Sequence, residues 1–154
     1  MRYHKLMADK TQIAWAAGII DGEGCICGVS KNVHRKSGQF SVAVDIRVQT
    51  VSFAMISKLA QLCDDLEVGY QIERPRWFPK STRIAHRINI RRRIDVVRFL
   101  QSVRPYLVVK KAEADLVLLW YQNWNDQRGF GKKRADCNEK LIFLEELRHL
   151  KRIA

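Results

Sequence analysis

The stretch AAGIIDGEG, Ala16 to Gly24, decides the reading of this chain. Two alanines and a glycine stand where a helix ordinarily buries bulk. Two acids follow, separated by Gly22 and closed by Gly24. Upstream, Asp9 or Thr11 can cap a helix over residues 9–20. Ile13, Ala16, Ala17 and Ile20 recur on it at helical spacing, and Ala14, Ala17, Gly18 and Asp21 share one face at i, i+3, i+4 and i+7. That face is small enough to let another backbone come close, and it ends in carboxylates.

Working outward, a strand is expected over 25–33 and a clearer one over 39–49. In the second, Phe40, Val42, Val44, Ile46 and Val48 alternate with Gln39, Ser41, Ala43, Asp45, Arg47 and Gln49. Period two with one apolar and one polar face marks a half-buried antiparallel strand. Ser52 then caps a helix with Phe53, Ile56, Leu59, Ala60, Cys63 and Leu66 on one face. Two more strands follow, near 69–76 and 82–91. In the latter, Ile84, His86, Ile88 and Ile90 oppose Arg83, Ala85, Arg87, Asn89 and Arg91. Helices are expected over 94–103, stopped by Pro105, over 112–124, and from Asp136, where Asp136 and Glu139 have capping-box spacing. The order is αββαββα with added C-terminal helices. It predicts an α+β fold: a four-stranded antiparallel, saddle-shaped sheet with helices packed on one face. At 154 residues the chain reads as one domain, with a core of about 9–120 and C-terminal helices over about 112–152.

The formal charge is +12, and it is concentrated. Residues 71–111 hold nine Arg and three Lys against Glu73 and Asp95, a net +10 in 41 residues. Such clustering favours a polyanionic partner, nucleic acid first. Hydrophobic residues make up 47%, which excludes a disordered chain. No apolar run is long enough to cross a membrane, and the first ten residues lack the apolar core of an export signal, so an intracellular protein is expected. Organellar, bacterial and phage origins are not distinguished. Cys25, Cys27, Cys63 and Cys137 match no zinc or redox spacing, and buried free thiols are expected.

AAGIIDGEG resembles the nine-residue LAGLIDADG signature, with Ala16 in place of Leu and Glu23 in place of the second Asp. The αββαββα order, and the stretch RPYLVVKKAEADLVL from Arg104 to Leu118, are similar to the single-motif, homodimeric LAGLIDADG homing endonucleases. The resemblance spans about residues 9–120, and there is one copy of the signature. It implies a sequence-specific endonuclease that hydrolyses both strands of a long, near-palindromic DNA site with Mg²⁺, or another divalent ion such as Mn²⁺.

Several roles are implied by the same resemblance. Two signature helices, one per chain, would cross through Ala14, Ala17 and Gly18, with Asp21 ordering the helix end and interface. Glu23 stands at the metal-binding acid position, and the Gly22 carbonyl is a further ligand. Lys110 occupies the basic position near the reacting phosphate, with Lys111 beside it facing solvent or backbone phosphate. Gln49 takes the polar position that orients solvent, with Thr50 or Arg47 as alternatives one or two residues away. Strand alternation then assigns DNA contacts: Gln39, Ser41 and Arg47 on the second strand, Arg74 and Arg76 on the third, and Arg83, Arg87, Asn89 and Arg91 on the fourth. Ser30, Lys31 and Asn32 are taken for the first. No membrane partner is expected.

Two other readings use the same residues. One is a non-cleaving binder on the same scaffold, either an RNA-splicing maturase or a DNA-binding regulator. The presence of Glu23 and Lys110 favours the nuclease over it. The other is a sheet that stacks RNA bases, which needs exposed aromatic side chains. The polar strand faces are rich in Arg, Asn and Gln instead.

Overall fold

The computed structural model describes residues 8–31, 40–76, 84–123 and 136–153. Gln39, Asn32 and Arg83 lie outside them, and only the backbone is described for Lys31, Arg74 and Arg76. Helix α1 spans Lys10–Glu23, with β1 Gly24–Lys31 and β2 Ser41–Thr50 after it. Helix α2 covers Phe53–Asp65, β3 Gln71–Arg76, β4 Ala85–Ile90 and α3 Arg93–Val103. Helices α4, Lys111–Asn123, and α5, Cys137–Ile153, complete the described residues.

The four strands form one antiparallel sheet in the order β1-β2-β4-β3. Its register pairs core with core. Ile26 lies opposite Ile46 and Val48 opposite Ile88, while Ile72, opposite Ile88 on the outer strand, is 44% exposed. Val42, Val44, Ile46, Val48, Ile88 and Ile90 are buried against the helices, along with Ile20, Ile56, Leu59, Phe99 and Leu100. Since side chains alternate, Asp45, Arg47 and Gln49 of β2 and Arg87 and Asn89 of β4 are committed to the opposite, helix-free face. Strand β2 extends past the end of β4. The Val44 N–H there donates to the buried Tyr121 hydroxyl of α4 at 3.1 Å, which satisfies a ladder group that has lost its strand partner.

Helix ends follow the sequence signals. Asp9 is the N-cap of α1, accepting from the Thr11 N–H, and Ser52 caps α2, accepting from Met55. Asp136 and Glu139 exchange reciprocal 2.8 Å bonds, a complete capping box. Three expectations fail. Helix α1 continues three residues beyond Ile20, through Asp21, Gly22 and Glu23. Phe53 is more than half exposed rather than in the core, its ring 5.1 Å from that of His86. Cys137 is likewise exposed, Cys25 and Cys27 are half-buried, and only Cys63 is a buried thiol.

Candidate nucleic-acid interface and catalytic end

Helix α1 stops at Gly24, whose N–H reaches back to the carbonyls of Ile19 and Ile20. A Cβ at this position would stand 2.6 Å from the Ile20 carbonyl oxygen, so only glycine lets the chain turn straight from helix into strand. Glu23 is therefore the last helical residue, and its carboxylate is exposed. Asp21 points the other way. Its two carboxylate oxygens accept the N–H groups of Val108 and Lys110, each at 2.8 Å. The Lys110 ammonium in turn donates to the Asp21 carbonyl. Burial alone would raise the Asp21 carboxyl, but the N–H donors from Val108, Lys110 and Val109 and the Lys110 charge outweigh it and hold it low. One acid thus fastens the segment 108–110, and Lys110 with it, to the end of α1.

Register brings a third candidate level with these. Gly24 lies opposite Val48, so Gln49 is the next residue along, abreast of Glu23. The Gln49 side chain is already engaged: its Oε1 accepts from Arg87 at 3.1 and 2.6 Å.

The helix-free sheet face carries Arg47, Arg87, Asn89 and Arg91, as strand parity requires, and Ser41 at its end. It also carries groups that sequence reading did not assign to it. Gln71 lies opposite Asn89 and Glu73 opposite Arg87. Glu73 accepts from Arg87 at 3.0 Å and from Arg91 at 2.8 Å, and Asp45 pairs with Arg47 at 2.8 Å. A register shift between Glu73 and Arg76 puts Arg76 opposite Ala85, which shares the helix-free face. Arg74 falls within that irregularity, so the alternation that joined Arg74 to Arg76 does not hold.

Solved structures share this architecture closely. The homing endonuclease I-CvuI, bound to the I-CreI target in the presence of Mg, matches over 96% of this chain and 99% of its own, at 20% identity and a TM-score of 0.60. The homing endonuclease I-TnaI matches over 91% and 93%, at 18% identity and 0.57. The chain has the LAGLIDADG homing-endonuclease fold. The meganuclease I-SmaMI, bound to DNA, matches over 90% of this chain but 43% of its own, at 18% identity and 0.57. The LAGLIDADG unit seen here therefore fills one chain in some proteins and less than half of one in others. No family model matches the chain, and no curated protein matches it by comparison.

Set on the LAGLIDADG fold, two assignments need correction. Ala17 is 0% exposed and belongs to the chain's own core, so it is not open to a second helix. Gly18, by contrast, is exposed, with nothing within 4 Å of an added Cβ, and Ala14 is partly exposed. Ser30 lies opposite Val42 and so takes the parity of the helix side, not of the polar face. Lys111 is exposed at the start of α4.

Other features went unread. Val108 is 82% exposed and Val109 half exposed, two apolar side chains beside the end of α1. Glu113 is buried in the first turn of α4 with Oε2 unpartnered, and burial raises its carboxyl against the pull of Lys151 and Lys110. The Cys25 and Cys27 sulfurs lie 2.8 Å apart on the polar face, with the Lys151 ammonium 3.4 Å from Cys25. The bond from Cys27 lowers the Cys25 thiol to about 5, against burial and with help from Lys151. A two-residue Cys spacing on a strand signals a shared face, but the lysine comes from 126 residues away.

Proposed function

We propose that this chain is a sequence-specific double-stranded DNA endonuclease that acts as a homodimer with a divalent metal ion. The observation that carries the reading is the end of α1. There Asp21 holds Lys110 in place while Glu23 projects freely, at the margin of an Arg-, Asn- and Gln-bearing sheet face.

The donors suit a hard cation. Glu23 offers exposed carboxylate oxygens and Gly22, itself exposed, a backbone carbonyl. Such oxygen ligands fit Mg²⁺, which keeps several waters. Among the described residues no group of three His, Cys, Asp or Glu side chains could hold an ion. One chain thus supplies one carboxylate, and a second copy and the DNA phosphates would complete the set. When bound, the ion supplies activation of water and stabilisation of the leaving oxygen. Lys110 supplies a fixed positive charge for the phosphate.

Dimerisation is supported by the exposed Gly18 stripe of α1, flanked by Val108 and Val109. Exposed apolar side chains beside a helix face this small fit a second helix at close approach. The coverage of I-SmaMI agrees with a working assembly made of two such units. The Arg- and Asn-bearing face then supplies base contacts in the major groove. Glu23 sets cleavage above the non-cleaving binder.

The test uses purified protein, Mg²⁺ and a randomised duplex library, with sequencing of the cut ends. Cutting at one near-palindromic site is expected. Glu23→Gln should lower cleavage by more than about 100-fold and leave DNA affinity within a few-fold. Undiminished Mg²⁺-dependent cutting by Glu23→Gln would refute the assignment.

A further inference from the structure

The arginines of the helix-free face are tied down in the DNA-free chain. Glu73 on β3 binds two of them at once. Its Oε2 accepts from Arg87 at 3.0 Å and its Oε1 from Arg91 at 2.8 Å. Arg87 is held from its other side by Gln49, and Arg91 by Gln71 at 3.1 Å, with the Asp45 carboxylate 3.7 Å away. Arg47 bonds Asp45 at 2.8 Å. Three guanidiniums and two carboxylates make the centre of this face nearly neutral, in a chain whose formal charge is +12.

Asn89 sits inside this lattice. It lies opposite Arg47 on one side and Gln71 on the other, with Arg87 and Arg91 two residues before and after it on the same face. It is 1% exposed, and neither Nδ2 nor Oδ1 has a hydrogen-bond partner. A buried amide with both ends unpartnered is costly, and a partner from outside the chain would relieve that cost. No base can reach it while the surrounding side chains stay closed.

We infer that Glu73 is a positioning residue of the DNA-binding face, one that sets the cost of presenting its arginines and Asn89. It clamps Arg87 and Arg91 flat on the sheet, and Asn89 becomes available only when those arginines leave Glu73 for DNA. This rests on the DNA-binding reading above. Opening the clamp costs the same on every sequence. The return depends on sequence, because guanine offers Arg two acceptors and adenine offers Asn a donor and an acceptor. On a mismatched duplex the arginines stay with Glu73 and add nothing to affinity. Glu73 therefore lowers affinity for the matched site by the full cost of opening, and affinity for a mismatched duplex by less, because there the arginines would gain less than opening costs.

The experiment compares wild type, Glu73→Gln and Glu146→Gln. The glutamine amide has the shape of the carboxylate it replaces without its charge. Glu146 is exposed on α5, and its change alters net charge equally. In the DNA-free proteins, phenylglyoxal modification of Arg87 and Arg91, mapped by mass spectrometry, should speed up at least about three-fold in Glu73→Gln only. Affinity for the site selected by the wild type should rise about five- to ten-fold in Glu73→Gln. Affinity for a random-sequence duplex should rise less, with a salt slope steeper by about one, so the specific-to-non-specific ratio does not fall. Unchanged affinity for the selected site in Glu73→Gln overturns the inference, as does an equal change in Glu146→Gln. Wild-type protein that shows no salt-dependent duplex binding overturns the DNA reading itself, and this inference with it.

Discussion

Replacing Asp21 by alanine isolates the contact on which the catalytic end depends. Its carboxylate accepts two backbone N–H groups at 2.8 Å, one exposed at Val108 and one part-buried at Lys110. A hydrogen bond to an ionised acceptor contributes about 1.5–3 kcal/mol. The Lys110 bond falls within that range and the exposed Val108 bond at its bottom or below. Asp21→Ala should then lose about 2–4 kcal/mol in urea unfolding at pH 7, and Asp21→Asn, which keeps one oxygen, about half as much. The sign with pH follows from the low carboxyl, held below its ordinary 3.8 in the folded chain. Such a group's contribution is complete above the unfolded value and fades as pH drops through the folded one. The gap between wild type and Asp21→Asn should therefore close in acid. A loss of less than about 0.5 kcal/mol for Asp21→Ala, the size of an ordinary surface change, would refute this account. So would a gap that stays constant from about pH 5 to pH 2.

Gly18→Leu should leave the subunit folded, since an added Cβ meets nothing, and should even strengthen α1 by about 1 kcal/mol through helix propensity. Bulk on the proposed contact face should still split the dimer. Sedimentation should give twice the 18.0 kDa chain mass for the wild type and a single chain for the variant, and a dimeric variant would sink the α1 interface. Glu113→Gln addresses the buried acid of α4, whose raised carboxyl makes the folded state hold its proton more tightly than the unfolded one. Stability should fall as pH rises from the unfolded value of 4.5 through the raised one, so the glutamine variant should melt higher at pH 7 and equally well below 4.5. Calorimetry that finds no gain at pH 7 would contradict that burial term.

Periodicity made the element order legible, because it records which faces are wet. Alternation in β2 and β4 placed Arg47, Arg87, Asn89 and Arg91 on one face, where the pairing register puts them. Strand β1 has too little contrast between its faces, and only its register with β2 shows Ser30 opposite a core valine. The expected helix over 9–20 ended before DGEG. The stop is set instead by the closeness of Gly24 to the Ile20 carbonyl, which is a packing fact. Ala17 illustrates a real ambiguity: a small side chain suits a second helix and the chain's own core equally, and here the core has it. Gln71 and Glu73 were readable as polar residues of a short strand. Their partnership with Arg87 and Arg91 depends on β3 pairing with β4, whose connecting segment lies outside the described residues.

The basic cluster of residues 71–111 shows why a charge count along the sequence overstates a local field. Arg93 donates to the Tyr121 carbonyl, Arg98 to the Glu67 carbonyl, and Arg104 pairs with Asp115. Arg92 stands 3.6 Å from Asp95, while Arg87 and Arg91 share Glu73. These six arginines all have partners within the chain, several far away in sequence. Their guanidiniums fasten α3 to α4 and to the segment after α2, and β4 to β3, before any polyanion arrives. A nucleic acid that binds here must replace the partners of Arg87 and Arg91, whereas Arg93, Arg98 and Arg104 have structural work that a phosphate would interrupt. Affinity drawn from the sheet centre is therefore an exchange, and its size is set by how well a base edge competes with Glu73 and Gln49.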